Sequence, residues 1–360
     1  MSIAYNIILL ILSSYIIWKV CDSFQTASMF LGRFMPIGTR GATINAIGSS
    51  FPEFMTSFIA IFNYSQNDGA MFGIANTTGS VIYNITIIPF VVFIACYFFN
   101  NLNKLQFKKY ILIRDGIFLI IIQIFLMIIL TSGKFTLSNS ITLVLMYLFY
   151  LVIIFNFPKN KKLMDKDKVK LSPVIENKDF VKSILDIDLY NILFKNNTTP
   201  NYKKSIIVLL LSIVIFYFSC KLLVSSSYNL GMLFHIPSYF IALTITAVAT
   251  SIPDTVISVK DAKVGEFDEA ITNAFGSNIF NISFCIGFPI MIYNLMYHTE
   301  IILGETSIEN INNLKNLSII LVILSVLIFI SKNKQWILKG FILLIIYILF
   351  LYYVFKEIGF

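Results

Sequence analysis

Residues 46–57 read AIGSSFPEFMTS, and residues 249–258 read ATSIPDTVIS. Each stretch lies in an apolar run long enough to cross a bilayer. Yet each holds a proline, several hydroxyls and one carboxylate, Glu53 or Asp254. An ionisable group inside hydrocarbon is costly and marks function by default. Proline has no N–H and disrupts the preceding helical turn, so carbonyl oxygens there need another partner where water is absent. A cation satisfies both requirements.

The likeness extends outward from these two stretches. GSSFPEFMTSFIAIFNYSQNDGAMFGIANTTGSVIYNI, from Gly48, matches ATSIPDTVISVKDAKVGEFDEAITNAFGSNIFNI, from Ala249. Ser50, Pro52, Glu53 and Ser57 pair with Ser251, Pro253, Asp254 and Ser258. A gap of about four residues follows in the connecting loop, where length changes are tolerated. Beyond it Asn76, Gly79, Ser80 and Asn84 pair with Asn273, Gly276, Ser277 and Asn281. The agreement lies in polar and small residues, so shared hydrophobicity does not explain it. Ser80 and Asn84 are four apart, as are Ser277 and Asn281, which puts each pair on one helical face. Gly79 and Gly276 allow neighbouring helices to approach closely.

The surrounding chain sets the fold class. Of 360 residues 57% are hydrophobic and 13% charged, so an all-α polytopic membrane protein is expected. At roughly 20 residues per span, ten spans emerge, near 3–20, 36–62, 70–98, 110–131, 137–157, 205–226, 238–260, 268–296, 316–331 and 336–355. They form a five-helix half, 1–157, with its repeat core at about 38–90, and a second half, 205–360, with its core at about 238–290. The hydrophilic stretch 158–204 between them reads as a solvated linker with one short helix near FVKSILDIDLYNILF.

Lysines of that linker, with Lys104, Lys108, Lys109, Lys260, Lys263, Lys332 and Lys334, fall on one predicted side, while the opposite loop HTEIILGETSIEN is acidic. The linker is therefore expected in the cytoplasm and the N-terminus outside, in a plasma or inner membrane. Five spans per half make the second half inverted relative to the first. The net charge of +8 is accordingly a topology signal and not a nucleic-acid footprint. MSIAYNIILLILSSYIIWKV lacks a basic n-region and reads as a retained first helix. Arg40 is expected to snorkel to the interface. Asp22, Asp68, Asp261, Glu266 and Asp268 read as solvated helix ends. Cys21, Cys96, Cys220 and Cys285 form no CxxC pair and read as buried free thiols. Nothing in the sequence sets an oligomeric state.

Inverted repeats place a site at the midplane where they meet. The candidate ligands form an oxygen cage: carboxylates Glu53 and Asp254, amides Asn84 and Asn281, hydroxyls of Ser49, Ser50, Thr250, Ser251, Ser80 and Ser277, and backbone carbonyls. No His or Cys accompanies them in the motifs. Such a set suits a hard cation, and Ca²⁺ takes about six to eight oxygens, whereas soft metals favour thiolate or imidazole. Two carboxylates neutralise one divalent ion. Emptying the site leaves buried charge that other cations or protons must compensate, which favours exchange over uniport.

At these residues the sequence resembles the cation/calcium exchanger superfamily, in its sodium/calcium exchanger-like form, whose hallmark is a pair of inverted alpha repeats. GSSFPE with TTGSVIYN resembles the first repeat, and TSIPDT with FGSNIFN the second. The resemblance implies a secondary antiporter that exchanges Ca²⁺ for Na⁺ by alternating access, without a cofactor. It implies that Glu53 and Asp254 are the central ligands of Ca²⁺ and of one or more Na⁺. Ser49, Ser50, Ser80, Thr250, Ser251, Ser277 and the carbonyls near Ala46 and Ala247 would serve Na⁺, with Asn84 and Asn281 facing the middle. Potassium-dependent members carry an acid where Asn281 stands, so K⁺ independence is expected, although SVKDAK and RDGIF look more like the potassium-dependent branch. The resemblance also implies that the first and sixth helices are the moving pair. H⁺ in place of Na⁺, Mg²⁺ in place of Ca²⁺ and K⁺ dependence are the alternatives. An intramembrane protease would carry GxGD or GxSxG, and neither is present. A channel would draw charged rings from several subunits. A carrier, not an enzyme, is expected.

Overall fold

Lipid offers no hydrogen-bond partner, so apolar runs close their backbone bonds within each segment. The computed structural model is accordingly helical. It describes residues 2–33, 39, 41–99, 108–156, 179–194, 199–303, 305–331 and 335–358. Arg40 and the lysine-bearing stretches 100–107, 157–178 and 332–334 lie outside the described residues.

The first half runs α1 (Ile3–Leu31), a π-turn Gly41–Asn45, α2 (Ala46–Ser49), α3 (Phe51–Asn63), α4 (Gln66–Phe98), α5 (Lys109–Ser132) and α6 (Leu137–Asn156). Two short helices follow, α7 (Phe180–Leu185) and α8 (Leu189–Phe194). The second half runs α9 (Tyr202–Phe234), α10 (Ser238–Ile241), a π-turn Ala242–Thr246, α11 (Ala247–Val264), α12 (Phe267–Phe280), a π-turn Asn281–Cys285, α13 (Ile286–Tyr297), α14 (Glu305–Ile330) and α15 (Trp336–Ile358). Among the described residues eight helical stretches are long and apolar enough to cross a membrane. The broken second segment, Gly41–Asn63, and α14, whose apolar part is Ser318–Ile330, complete the ten expected segments. Side chains such as Ile11, Leu145, Phe149, Leu210 and Leu349 point outward, as a lipid-facing surface requires. The chain is a multi-pass integral membrane protein.

A two-residue antiparallel pairing, β1 (Lys134–Phe135) with β2 (Ile301–Ile302), joins the loops of the two halves. At the core, glycines set the spacing. Gly79 on α4 lies against Leu243 in the second half's π-turn, and Gly276 on α12 lies against Ala42 in the first half's. These two contacts are equivalent under the repeat alignment, so each half presses its glycine into the other half's π-turn.

The two repeats are not identical in backbone. A π-turn precedes the cation motif in both. In the first copy the helix then breaks at Ser50 (φ −91°, ψ 8°) and restarts at Phe51 with Pro52 in its first turn, where a missing N–H costs nothing. The second copy was expected to break too. Instead α11 runs unbroken through Pro253, packed along α4 of the other half.

The linker also departs from expectation. Its described end is not one solvated helix but two, docked on α1. Tyr15 donates to the Leu185 carbonyl at 3.0 Å, and Lys19 pairs with Asp186 at 2.6 Å. The Ser23 hydroxyl donates to the Ile187 carbonyl and accepts from Leu189 N at 3.0 Å. Ile187 takes a positive φ of 48° between the two helices, the turn that separates them. Leu189 and Tyr190 bury against Ala27 of α1 and Val208 of α9, and α1 and α9 pack along one another.

Candidate functional site

The cation motifs meet where α2, α3 and α11 cross α4 and α12. All ten side chains of the expected set, and the two alanines, are buried: Glu53, Asp254, Ser49, Ser50, Ser80, Asn84, Thr250, Ser251, Ser277, Asn281 and Ala46 are fully inaccessible, and Ala247 almost so.

Contacts between the halves and within them carry the arrangement. Ser251 donates to Glu53 Oε1 at 3.2 Å. Asn84 Nδ2 donates to Asp254 Oδ2 at 3.0 Å, and Ser277 donates to Asp254 Oδ1 at 2.6 Å. The hydroxyls of Ser80 and Thr250 lie 3.3 Å apart, and those of Ser49 and Ser277 3.4 Å apart. Thr250 also donates to the Ala247 carbonyl, at 3.2 Å, and Ser49 reaches the Ala46 carbonyl at 3.4 Å. The last two pairs of contacts are related by the repeat alignment. Each hydroxyl cluster thus joins one motif to the following helix of the other half.

Around the carboxylates that symmetry fails. Asp254 has both oxygens bonded. Glu53 has one: among the described residues its Oε2 has no hydrogen-bond partner, and neither do Ser50 Oγ, Asn84 Oδ1 or Asn281 Nδ2. A buried polar atom left unsatisfied costs about 1–3 kcal/mol, so this concentration is a place built for something else. Three of the four atoms are oxygens. Among the described residues no group of three His, Cys, Asp or Glu side chains could hold a metal; neutral oxygens must supply the remainder of any shell, and here they are present.

Several contributors were not singled out from sequence. Asn273, aligned with Asn76 in the repeat, donates to the Asp254 carbonyl at 3.3 Å and to Ser258 Oγ at 3.1 Å. Both amide atoms of Asn76 are buried without a partner among the described residues, another break in the symmetry. Asp261 was expected to be a solvated helix end. It is buried, and Asn45 Nδ2, from the π-turn of the first half, reaches its Oδ2 at 3.4 Å. Glu269, in the first turn of α12, is likewise buried and accepts from Gly41 N at 2.5 Å. The four cysteines are free and buried as expected. The expectation that sulfur stays away from the cage is corrected, however. Cys285 Sγ lies 3.5 Å from Asn281 Oδ1 and 3.8 Å from the Ser50 carbonyl. Sequence distance hid this, since Cys285 falls just beyond the second motif.

Inverted helical halves meeting at buried carboxylates define the architecture of a membrane cation exchanger. The family model for the sodium/calcium exchanger protein matches residues 5–156 and 204–356, and the chain belongs to that family. It is 31% identical over 153 residues to the sodium/calcium exchanger MaX1 of Methanosarcina acetivorans, covering 42% of this chain and 40% of that protein. It is 26% identical over 344 residues to sodium/potassium/calcium exchanger 5 of Homo sapiens, covering 75% and 66% respectively. The chain thus spans between about two fifths and two thirds of the length of these relatives. The crystal structure of the H⁺/Ca²⁺ exchanger CAX superposes with a TM-score of 0.64 at 14% identity, covering 98% of this chain and 89% of that one; the two share a fold.

Proposed function

We propose that the protein is a secondary antiporter that exchanges Ca²⁺ for Na⁺ across its membrane, a carrier and not an enzyme. The observation that carries this reading is the set of unpartnered buried oxygens, Ser50 Oγ, Glu53 Oε2 and Asn84 Oδ1, beside two carboxylates supplied by opposite halves. In a hard-cation shell those oxygens find a partner, and the desolvated charge of Glu53 is compensated. Glu53 and Asp254 hold Ca²⁺; the Ser80–Thr250 and Ser49–Ser277 clusters, with the carbonyls of Ala247 and Ala46, take Na⁺. Ser251 orients Glu53, while Asn84 and Asn281 line the centre.

Reorientation with the carboxylates bare would carry uncompensated charge through hydrocarbon, so the carrier moves when loaded and exchange is obligatory. The long α1–α9 pair is the element we assign to the movement. Because Asn281 is neutral, K⁺ is not required. The linker faces the cytoplasm and the N-terminus the outside, in a plasma or inner membrane.

The test is Ca²⁺ uptake into proteoliposomes driven by an outward Na⁺ gradient, with K⁺ and pH varied independently. The expected result is Na⁺-driven uptake indifferent to K⁺. Uptake driven by a pH gradient and absent under a Na⁺ gradient would instead make H⁺ the counter-ion.

A further inference from the structure

Two thiols border the Glu53 side of the site, and they differ in what they face. Cys220, on α9, has its Sγ 3.6 Å from the Pro52 carbonyl, on the outer flank of α3. Cys285 closes the π-turn Asn281–Cys285, and its Sγ reaches two groups of the oxygen cage, Asn281 Oδ1 and the Ser50 carbonyl. The two residues it contacts also carry fully buried atoms without a partner among the described residues, Ser50 Oγ and Asn281 Nδ2, and Glu53, three residues on from Ser50, carries another, Oε2. A carbonyl, an amide oxygen and a thiol therefore meet beside residues whose polar atoms are least satisfied. The aligned position in the first repeat, Ile88, offers no such group near Asp254, so the sulfur marks one side only.

We propose that Cys285, with Glu53, the Ser50 carbonyl and Asn281 Oδ1, forms a mixed sulfur–oxygen subsite that takes a thiophilic divalent cation of the Cd²⁺ type. This rests on the reading of Glu53 as a cation ligand. Thiolate is the soft ligand that discriminates such ions from Ca²⁺. On binding, the metal–sulfur bond forms as the thiol proton leaves to solvent, with no change of oxidation state. Ser50 and Glu53 belong to the first half and Asn281 and Cys285 to the second. The ion therefore ties the halves together. A cargo must also leave readily, so the thiolate-bound ion blocks the exchanger.

The probe is Cd²⁺ added to the purified full-length protein. Wild type is expected to develop an ultraviolet thiolate-to-Cd²⁺ charge-transfer band, reduced by excess Ca²⁺. C220S should retain the band and C285S lose it, with the half-saturating Cd²⁺ concentration raised by more than tenfold; loss of an outer-shell partner alone costs about 10–100-fold in metal affinity. A band that survives C285S, or that disappears in C220S instead, overturns the assignment. If C285S does not fold, Cd K-edge absorption on wild type decides the matter. A sulfur neighbour beside oxygens supports the subsite, and an oxygen-only shell refutes it. Ca²⁺ flux without a Cys285-dependent band would remove this subsite and leave the exchanger reading standing. The band without any Ca²⁺ flux would do the reverse.

Discussion

The glycine contacts between the halves are tight enough to make a quantitative forecast. A Cβ on Gly79 would lie 2.0 Å from the Leu243 carbonyl oxygen and 2.7 Å from Ala247 Cβ. Ordinary contact begins at 3.4 Å, so α4 and the π-turn must separate by 3.4 − 2.0, or about 1.4 Å, in Gly79→Ala. Both obstacles are backbone or a short side chain, and neither can rotate away. Overpacking of this kind costs about 1–3 kcal/mol. The functional cost is larger, because Ser80 follows Gly79 directly. Its hydroxyl sits 3.4 Å from the Ala247 carbonyl and 3.3 Å from Thr250 Oγ1. Both contacts are already at the limit of hydrogen-bond length, and a further ångström breaks them. Denaturation in detergent and Na⁺-driven Ca²⁺ uptake would be measured together, with Gly73→Ala as the control. Its added Cβ meets Ser57 at 3.3 Å and needs almost no movement. Gly79→Ala is expected to lose stability by the stated amount and to lose uptake out of proportion to it. Wild-type stability and uptake in Gly79→Ala would show that the halves are not packed as described.

Glu53→Gln should leave the protein inserted and monodisperse while Ca²⁺ flux falls to background; normal flux in a well-expressed variant would remove Glu53 from the site. Asn281→Asp should change the cation dependence, K⁺ included, more than it changes folding, and an unchanged ion profile would exclude Asn281. Asn84→Ala removes a hydrogen bond to the Asp254 carboxylate, worth about 1.5–3 kcal/mol when one partner is charged. Its destabilisation should appear in Ca²⁺-free buffer and grow when Ca²⁺ is added, because the variant also loses a shell oxygen and gains less from the bound ion; equal losses in both conditions would remove Asn84 from the site. Ser23→Ala deletes the hydroxyl that holds Ile187 and Leu189, at about 0.5–1.5 kcal/mol per bond. Limited proteolysis within 179–194 should accelerate, and unchanged cleavage would argue against docking on α1.

The ten segments and the pairing of Glu53 with Asp254 were legible because they rest on local signals: an apolar run, a proline beside an acid, hydroxyls and amides at helical spacing. The helix break at Ser50 was readable too, since Pro52 needs no N–H in a first turn. Its absence at Pro253, where α11 runs unbroken, was not, because sequence periodicity carries no trace of the neighbours a helix meets. Asp261 looked like a solvated cap for the same reason. Its burial depends on Asn45, which arrives from the other half. The docking of 179–194 likewise hinges on Ser23, far away on α1.

Composition and motif chemistry thus settle that this chain crosses a membrane in two repeat halves and carries oxygen-bearing side chains in both. They are properties of short windows, governed by the cost of polar groups in lipid. Which hydroxyl serves which carboxylate is a different matter. Ser251 bonds Glu53 across 198 residues of chain, and Asn84 bonds Asp254 across 170. The two repeats are alike in sequence, yet Asp254 is fully bonded and Glu53 is not. The crossing of the halves decides these partners: Glu53 is bonded by Ser251 and Asp254 by Asn84 from the opposite repeat, while Ser277 of its own repeat bonds the second oxygen of Asp254. That crossing also brings Cys285 to the Ser50 carbonyl.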